Sequence, residues 1–153
     1  MQLKHSLLID VLVILSIALV GVIAYRMQSR PDFSLPVEKT CLLHRQACTA
    51  SLPGGGEIEV TIAPRPIPTV RPLKVVVALK GIDASRVEVD FAGIGMNMGY
   101  NRPELARQPD GSFAGEATLP VCVTGKMLWQ ATVMLETAAR IVSVPFQFEA
   151  GPA

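Results

Sequence analysis

The chain has 153 residues, half of them hydrophobic, with a formal net charge of +1, three cysteines and two histidines. That length fits one domain of ordinary size once any membrane segment is subtracted. A charge so near zero, without a cluster of Lys and Arg, excludes nucleic acid as a partner, because several phosphates could not be neutralised.

From Leu7 to Tyr25, LLIDVLVILSIALVGVIAY carries a single charge, Asp10. A helix rising ~1.5 Å per residue over this run spans ~28 Å, close to the ~30 Å hydrocarbon thickness of a bilayer, so residues 1–26 are predicted to be a transmembrane anchor. A cleaved signal peptide is the alternative, since Val22-Ile23-Ala24 roughly satisfies the small-residue rule. The run is nevertheless longer than a signal-peptide core, and no A-x-A triplet follows it. Flanking charges, Lys4 on one side and Arg26 and Arg30 on the other, nearly balance and leave orientation to the cysteines. Cys41 and Cys48, close together in a small domain, suit an oxidising compartment. The expected location is a bacterial inner membrane, single-pass, with the C-terminal domain in the periplasm and the bilayer as one partner.

Residues 27–40 are polar with two prolines and read as an extended linker. Residues 41–153 read as β-structure. A short strand near Cys48–Leu52 meets the LPGGGE turn, after which Ile58, Val60 and Ile62 alternate onto one face. APRPIPTVRP, residues 63–72, holds four prolines and implies a stiff surface connection or an edge. Strands follow at Leu73–Lys80 and at RVEVDF, where Val87, Val89 and Phe91 face inward. A turn centred on Asp110-Gly111 opens an arm from Ser112 to Leu119. LWQATVMLE then points Trp129, Ala131, Val133 and Leu135 inward, and RIVSVPFQFE does the same with Val142, Val144, Phe146 and Phe148. About seven short strands without a helix after residue 26 predict an all-β fold, an immunoglobulin-like antiparallel β-sandwich with Trp129 in its core.

No catalytic signature emerges. His44 is the one histidine beyond the N-terminal segment, no Ser or Cys sits beside a base, and the carboxylates lie on alternating solvent faces. The three glycines of residues 54–56 lack the strand-to-helix setting and lysine of a phosphate loop. The chain is therefore expected not to be an enzyme.

Sulfur is the stronger lead. In an extended segment Met96 and Met98 of GMNMGYN project to one face with Cα atoms ~6.6 Å apart, a separation two thioethers can bridge around one ion. Soft donors of this kind select Cu(I). Methionines at period two are also ordinary core filler, although Gly93, Gly95 and Gly99 suggest a segment leaving the sheet. Cys122 and Met127 flank a second turn and join the set if the two turns share a rim; Cys122 is equally a small buried hydrophobe. Pairing of Cys41 with Cys48 would close an eight-residue loop worth ~2.5 kcal/mol in the chain-entropy model, while Cys48 with Cys122 stays open as an alternative. His44 is a further potential donor or a structural histidine.

DFAGIGMNMGYNRPEL followed by DGSFAGEATLPVCVTGKMLWQATVML resembles the pattern of the FixH/YtkA-like family over residues 73–148. The shared features are an M-x-M segment, a G-x-(F/Y)-x-G arm and a late glycine before a core tryptophan strand. The resemblance implies a membrane-anchored extracytoplasmic immunoglobulin-like domain that assists copper handling in the assembly of haem–copper respiratory oxidases. It matches Met96 and Met98 to the methionine motif and Trp129 to the core tryptophan. Cys122, Met127 and the Cys41/Cys48 pair depart from the pattern.

Two functions follow. One is copper binding or delivery at Met96, Met98, Cys122 and Met127, presented to a respiratory oxidase or a copper chaperone. The other is a non-metal accessory module that docks on a membrane protein complex through its proline-rich edge or through a helix bearing Asp10, an ionisable residue suited to a protein partner or to the interface.

Overall fold

A computed structural model describes residues 2–27, 33–37, 41–52, 54–97, 99–120 and 125–151, with side chains of the N-terminal helix described from Asp10 to Ile23. The chain divides into two compact units, residues 1–30 and 31–153. The first holds one helix, α1 (Gln2–Met27). Among the described residues no helix is long and apolar enough to cross a membrane. The expected transmembrane anchor is corrected on that ground. With it go the single-pass inner-membrane location and the bilayer as partner.

The second unit is all β after α1. Its nine strands are β1 (Phe33–Ser34), β2 (Cys48–Ser51), β3 (Glu57–Ala63), β4 (Pro72–Lys80), β5 (Arg86–Gly93), β6 (Glu104–Arg107), β7 (Phe113–Thr118), β8 (Met127–Glu136) and β9 (Ile141–Ala150). They form one continuous sheet in the order β1-β9-β8-β5-β6-β7-β4-β3-β2. All pairs are antiparallel except β1 with β9.

The expected immunoglobulin-like sandwich of about seven strands is therefore corrected to a curled nine-stranded sheet. The seven strands read from alternation correspond to β2–β5 and β7–β9, with the inward sets buried as expected in one core. What the pattern missed are β1 and β6, too short to show a period. β6 is the decisive one. Its first half pairs with β5 (Val87↔Leu105, Glu88↔Glu104) and its second half with β7 (Ala106↔Ala114, Arg107↔Phe113). The sheet folds over at this shared strand, so one hydrophobic face meets itself. Gly115 permits the bend, because a Cβ there would stand 2.8 Å from Leu105 Cδ2.

The inward faces converge on Trp129, Phe91, Phe113, Phe146 and Phe148, all buried, with the Phe91 and Phe148 rings edge to face at 6.2 Å. Cys41 and Cys48 form a disulfide at the start of β2, which also fixes the buried Leu43 in the intervening loop.

Candidate docking rim

Strand direction sorts the loops into two ends. The register brings the end of β5 to the start of β8 (Gly93↔Trp129), the start of β8 to the end of β9 (Met127↔Ala150), and the start of β4 to the ends of β3 and β7 (Ala63↔Lys74, Pro72↔Thr118). The proline-rich strap, residues 64–71, then joins both halves. Thr69 N–H donates to Gly151 O at 3.1 Å, and Val70 N–H donates to Leu119 O at 2.8 Å. One rim consequently carries the Cys41–Ala47 loop, the strap, the loop after β5 and the start of β8. The opposite rim carries the turns at residues 54–56, 81–85, 108–112 and 137–140.

The sulfur residues fall on the strap rim. Ile94 N–H donates to Leu128 O at 2.9 Å, and Gly95 at φ +85° then turns the chain out of the sheet, leaving Met96 exposed. Met127 lies in the adjoining start of β8, half-buried against the core. Met96 and Met127 thus lie on the same rim. Met98 and Cys122 lie outside the described residues. Among the described residues no group of three or more His, Cys, Asp or Glu could hold a metal ion. Cys41 and Cys48 are spent on each other, and the donors described at the rim are two thioethers. The copper-binding and copper-delivery reading is corrected accordingly, and with it the oxidase or copper chaperone as its recipient.

His44 has a structural task instead. Glu149 N–H donates to His44 Nδ1 at 3.1 Å, which leaves Nε2 to carry the ring proton of the neutral imidazole. The bond covers part of the free edge of β9. Along that edge Leu35 N–H donates to Ser143 O at 2.9 Å, Pro145 has no N–H to offer, and Gly151 pairs with the strap. Among the described residues the edge amide left without a partner between these points is that of Gln147, so the edge presents no continuous template for another strand. Replacing His44 with alanine is expected to cost about 1 kcal/mol in denaturant unfolding, the net worth of such a bond. Faster exchange of the Glu149 amide hydrogen should accompany it, and an unchanged exchange rate would show that the bond does not protect the edge.

The surface chemistry of the two rims differs. Among the described residues of the β unit, the large exposed apolar and tyrosine side chains other than Phe33 are Leu42, Val70, Ile94, Met96, Tyr100 and Leu128. All six stand on the strap rim or the loop leaving it. Val70, 64% exposed, has φ +59°, a left-handed conformation that a β-branched residue adopts only under strain. A cavity of about 300 Å³ lies beneath the strap, lined by His44, Pro66, Ile67, Pro68, Lys126 and Glu149 among others. An open groove of about 410 Å³ runs between Tyr100–Pro103 and Glu116–Thr118.

The opposite rim is polar and internally paired. Lys80 lies 3.6 Å from Glu57, and Arg107 Nη2 donates to Asp83 Oδ1 at 2.6 Å. This hydrogen bond, followed by the guanidinium charge, holds the Asp83 carboxyl below the usual carboxylate range. Hydrogen bonds from the Ser112 side chain and backbone do the same for Asp110. On the adjacent outer face Arg86 bridges Glu88 and Glu104, and its hydrogen bond to Glu104 chiefly raises its pKa.

No family model matches the chain, and no curated protein matches it. The resemblance to the FixH/YtkA-like family is thus corrected: its motifs are short, and the curled nine-stranded sheet departs from the fold it implied. A crystal structure of an engineered protein from a structural genomics consortium resembles 67% of this chain at 21% identity and a TM-score of 0.46. The match spans about a fifth (21%) of that protein's length, and at this similarity it bears on neither fold nor function.

Proposed function

We propose that the β unit is a non-catalytic docking module whose strap rim takes up a protein partner. The observation that carries this reading is the gathering of six of the seven large exposed apolar or tyrosine side chains described in the β unit on one rim, while the other carries Phe33 and ion pairs. Solvent disfavours such a concentration unless another surface covers it. The strained Val70 supports the same reading, because the strap holds an apolar side chain outward at an energetic cost that packing within the fold does not recover. A non-catalytic role is supported by His44, whose Nδ1 is committed to the Glu149 amide, and by the Asp83 and Glu104 carboxylates, which are committed to arginines.

The test is photo-crosslinking of the full chain in the cells that make it, with benzoylphenylalanine at Val70 or Leu128 on the strap rim, or at Glu57 or Asp110 on the other. Discrete adducts are expected from the first pair and none from the second. Adducts at both rims alike, or at neither, would end the docking reading.

A further inference from the structure

The charges around the strap rim say what kind of partner fits it. Arg65 and Arg71 flank the segment that carries Val70, Arg45 follows His44 in the disulfide loop, and Lys126 lines the cavity under the strap. All four are exposed except as the cavity encloses them, and none forms an ion pair among the described residues. Elsewhere on the β unit Lys80, Arg86, Arg102 and Arg107 each have a carboxylate within ion-pair distance, whereas Lys74 of β4 forms no ion pair among the described residues. Unpaired positive charge and exposed apolar surface thus coincide on one rim.

Lys126 lies beside Gly151, where a Cβ would stand 2.6 Å from Lys126 Cγ.

From these observations, and resting on the docking reading above, we infer that the partner segment is an acidic polypeptide stretch in which Asp or Glu alternates with apolar or aromatic residues. Its carboxylates meet Arg45, Arg65, Arg71 and Lys126, and its apolar residues meet Val70, Ile94, Tyr100 and Leu128. Charge complementarity of this kind steers encounter and selects partners. The rim is not uniformly basic, since Glu149 shares the cavity with Lys126 and Glu116 lies opposite Lys74 across the β4–β7 pair. Cavity, groove and mixed charge together suit an extended polypeptide better than a flat anionic lipid surface.

The experiment uses the full chain and a fluorescent random copolymer of glutamate and tyrosine as probe. The comparison ligands are a lysine–tyrosine copolymer, polyglutamate and phosphatidylglycerol vesicles. The glutamate–tyrosine copolymer is expected to bind tightest and to weaken as salt rises and screens the charges. The double variant R65E/R71E should weaken it by about tenfold or more, as expected for loss of steering and pairing charges. Val70→Ser should weaken it independently of salt. If R65E/R71E fails to fold by circular dichroism, R45Q/K126Q replaces it with the same expected direction. Equal binding of the lysine copolymer, an unchanged affinity in the charge variant, or tighter binding of vesicles would overturn the inference. Crosslinked partners whose contact peptide contains no acidic run would also overturn it while leaving the docking reading intact, whereas failure of the crosslinking itself removes the docking reading.

Discussion

Replacing Trp129 with alanine is expected to destabilise the β unit by about 4 kcal/mol, the upper part of the range for emptying a large aromatic site in a close-packed core. Trp129 is fully buried at the point where β5, β8 and β9 run side by side, opposite Gly93 on one strand and Phe148 on the other. Gly93 offers no side chain and cannot collapse into the space. The same indole carries a weakness. Its Nε1–H is buried with no hydrogen-bond partner among the described residues, and an unmet donor costs about 1–3 kcal/mol. Trp129→Phe removes that donor along with part of the ring, so its loss should be much smaller, within about 2 kcal/mol. Equilibrium denaturation of the two variants checks both values. Equal losses would show that the N–H is satisfied and that volume alone decides.

Removing the Cys41–Cys48 disulfide has the second large effect. Loop-closure entropy for a span this short gives about 2.5 kcal/mol, or a fall in Tm of about 10 °C for a domain of this size. The consequence reaches beyond stability. The bridged loop seats Leu43 in the core and His44 on the Glu149 amide, so its release also uncovers the edge of β9 beside the strap rim. The double substitution of Cys41 and Cys48 by alanine should therefore lower Tm and increase hydrogen exchange at Glu149 together. A lower Tm with Glu149 still protected would mean that the loop is held by Leu43 burial and not by the bridge.

Much of the β unit was legible because its long strands alternate. In β5, β8 and β9 every second residue is apolar, and pleating alone sends those residues to one face, as Val87, Trp129 and Phe146 illustrate. Short strands have no such voice. Glu104–Arg107 shows no period, yet it joins the two halves and turns an expected sandwich into one curled sheet. The N-terminal run reads from hydropathy as a membrane span, whereas among the described residues no helix is long and apolar enough to cross a membrane. At the candidate site, the Ile94–Leu128 hydrogen bond brings Met96 and Met127 to one rim, but a shared rim is not a donor set. The docking residues Val70, Ile94, Tyr100 and Leu128 were missed because an exposed apolar residue is unremarkable singly. The four prolines around Val70 are the one available signal, and by themselves they imply a stiff surface connection or an edge.

By itself, then, the sequence determined where β2–β5 and β7–β9 lie, which faces of them are buried, and that Cys41 could close a short loop with Cys48, because each of these follows from local period and spacing. The tertiary structure alone decided the rest. Nothing local specifies that β6 is shared between two halves, that the strap bonds to both Leu119 and Gly151, or that, among the described residues, six exposed apolar or tyrosine side chains and four cations without an ion pair, drawn from separate loops, meet on one rim. Those facts depend on which strand ends are brought together when a single hydrophobic face closes on itself.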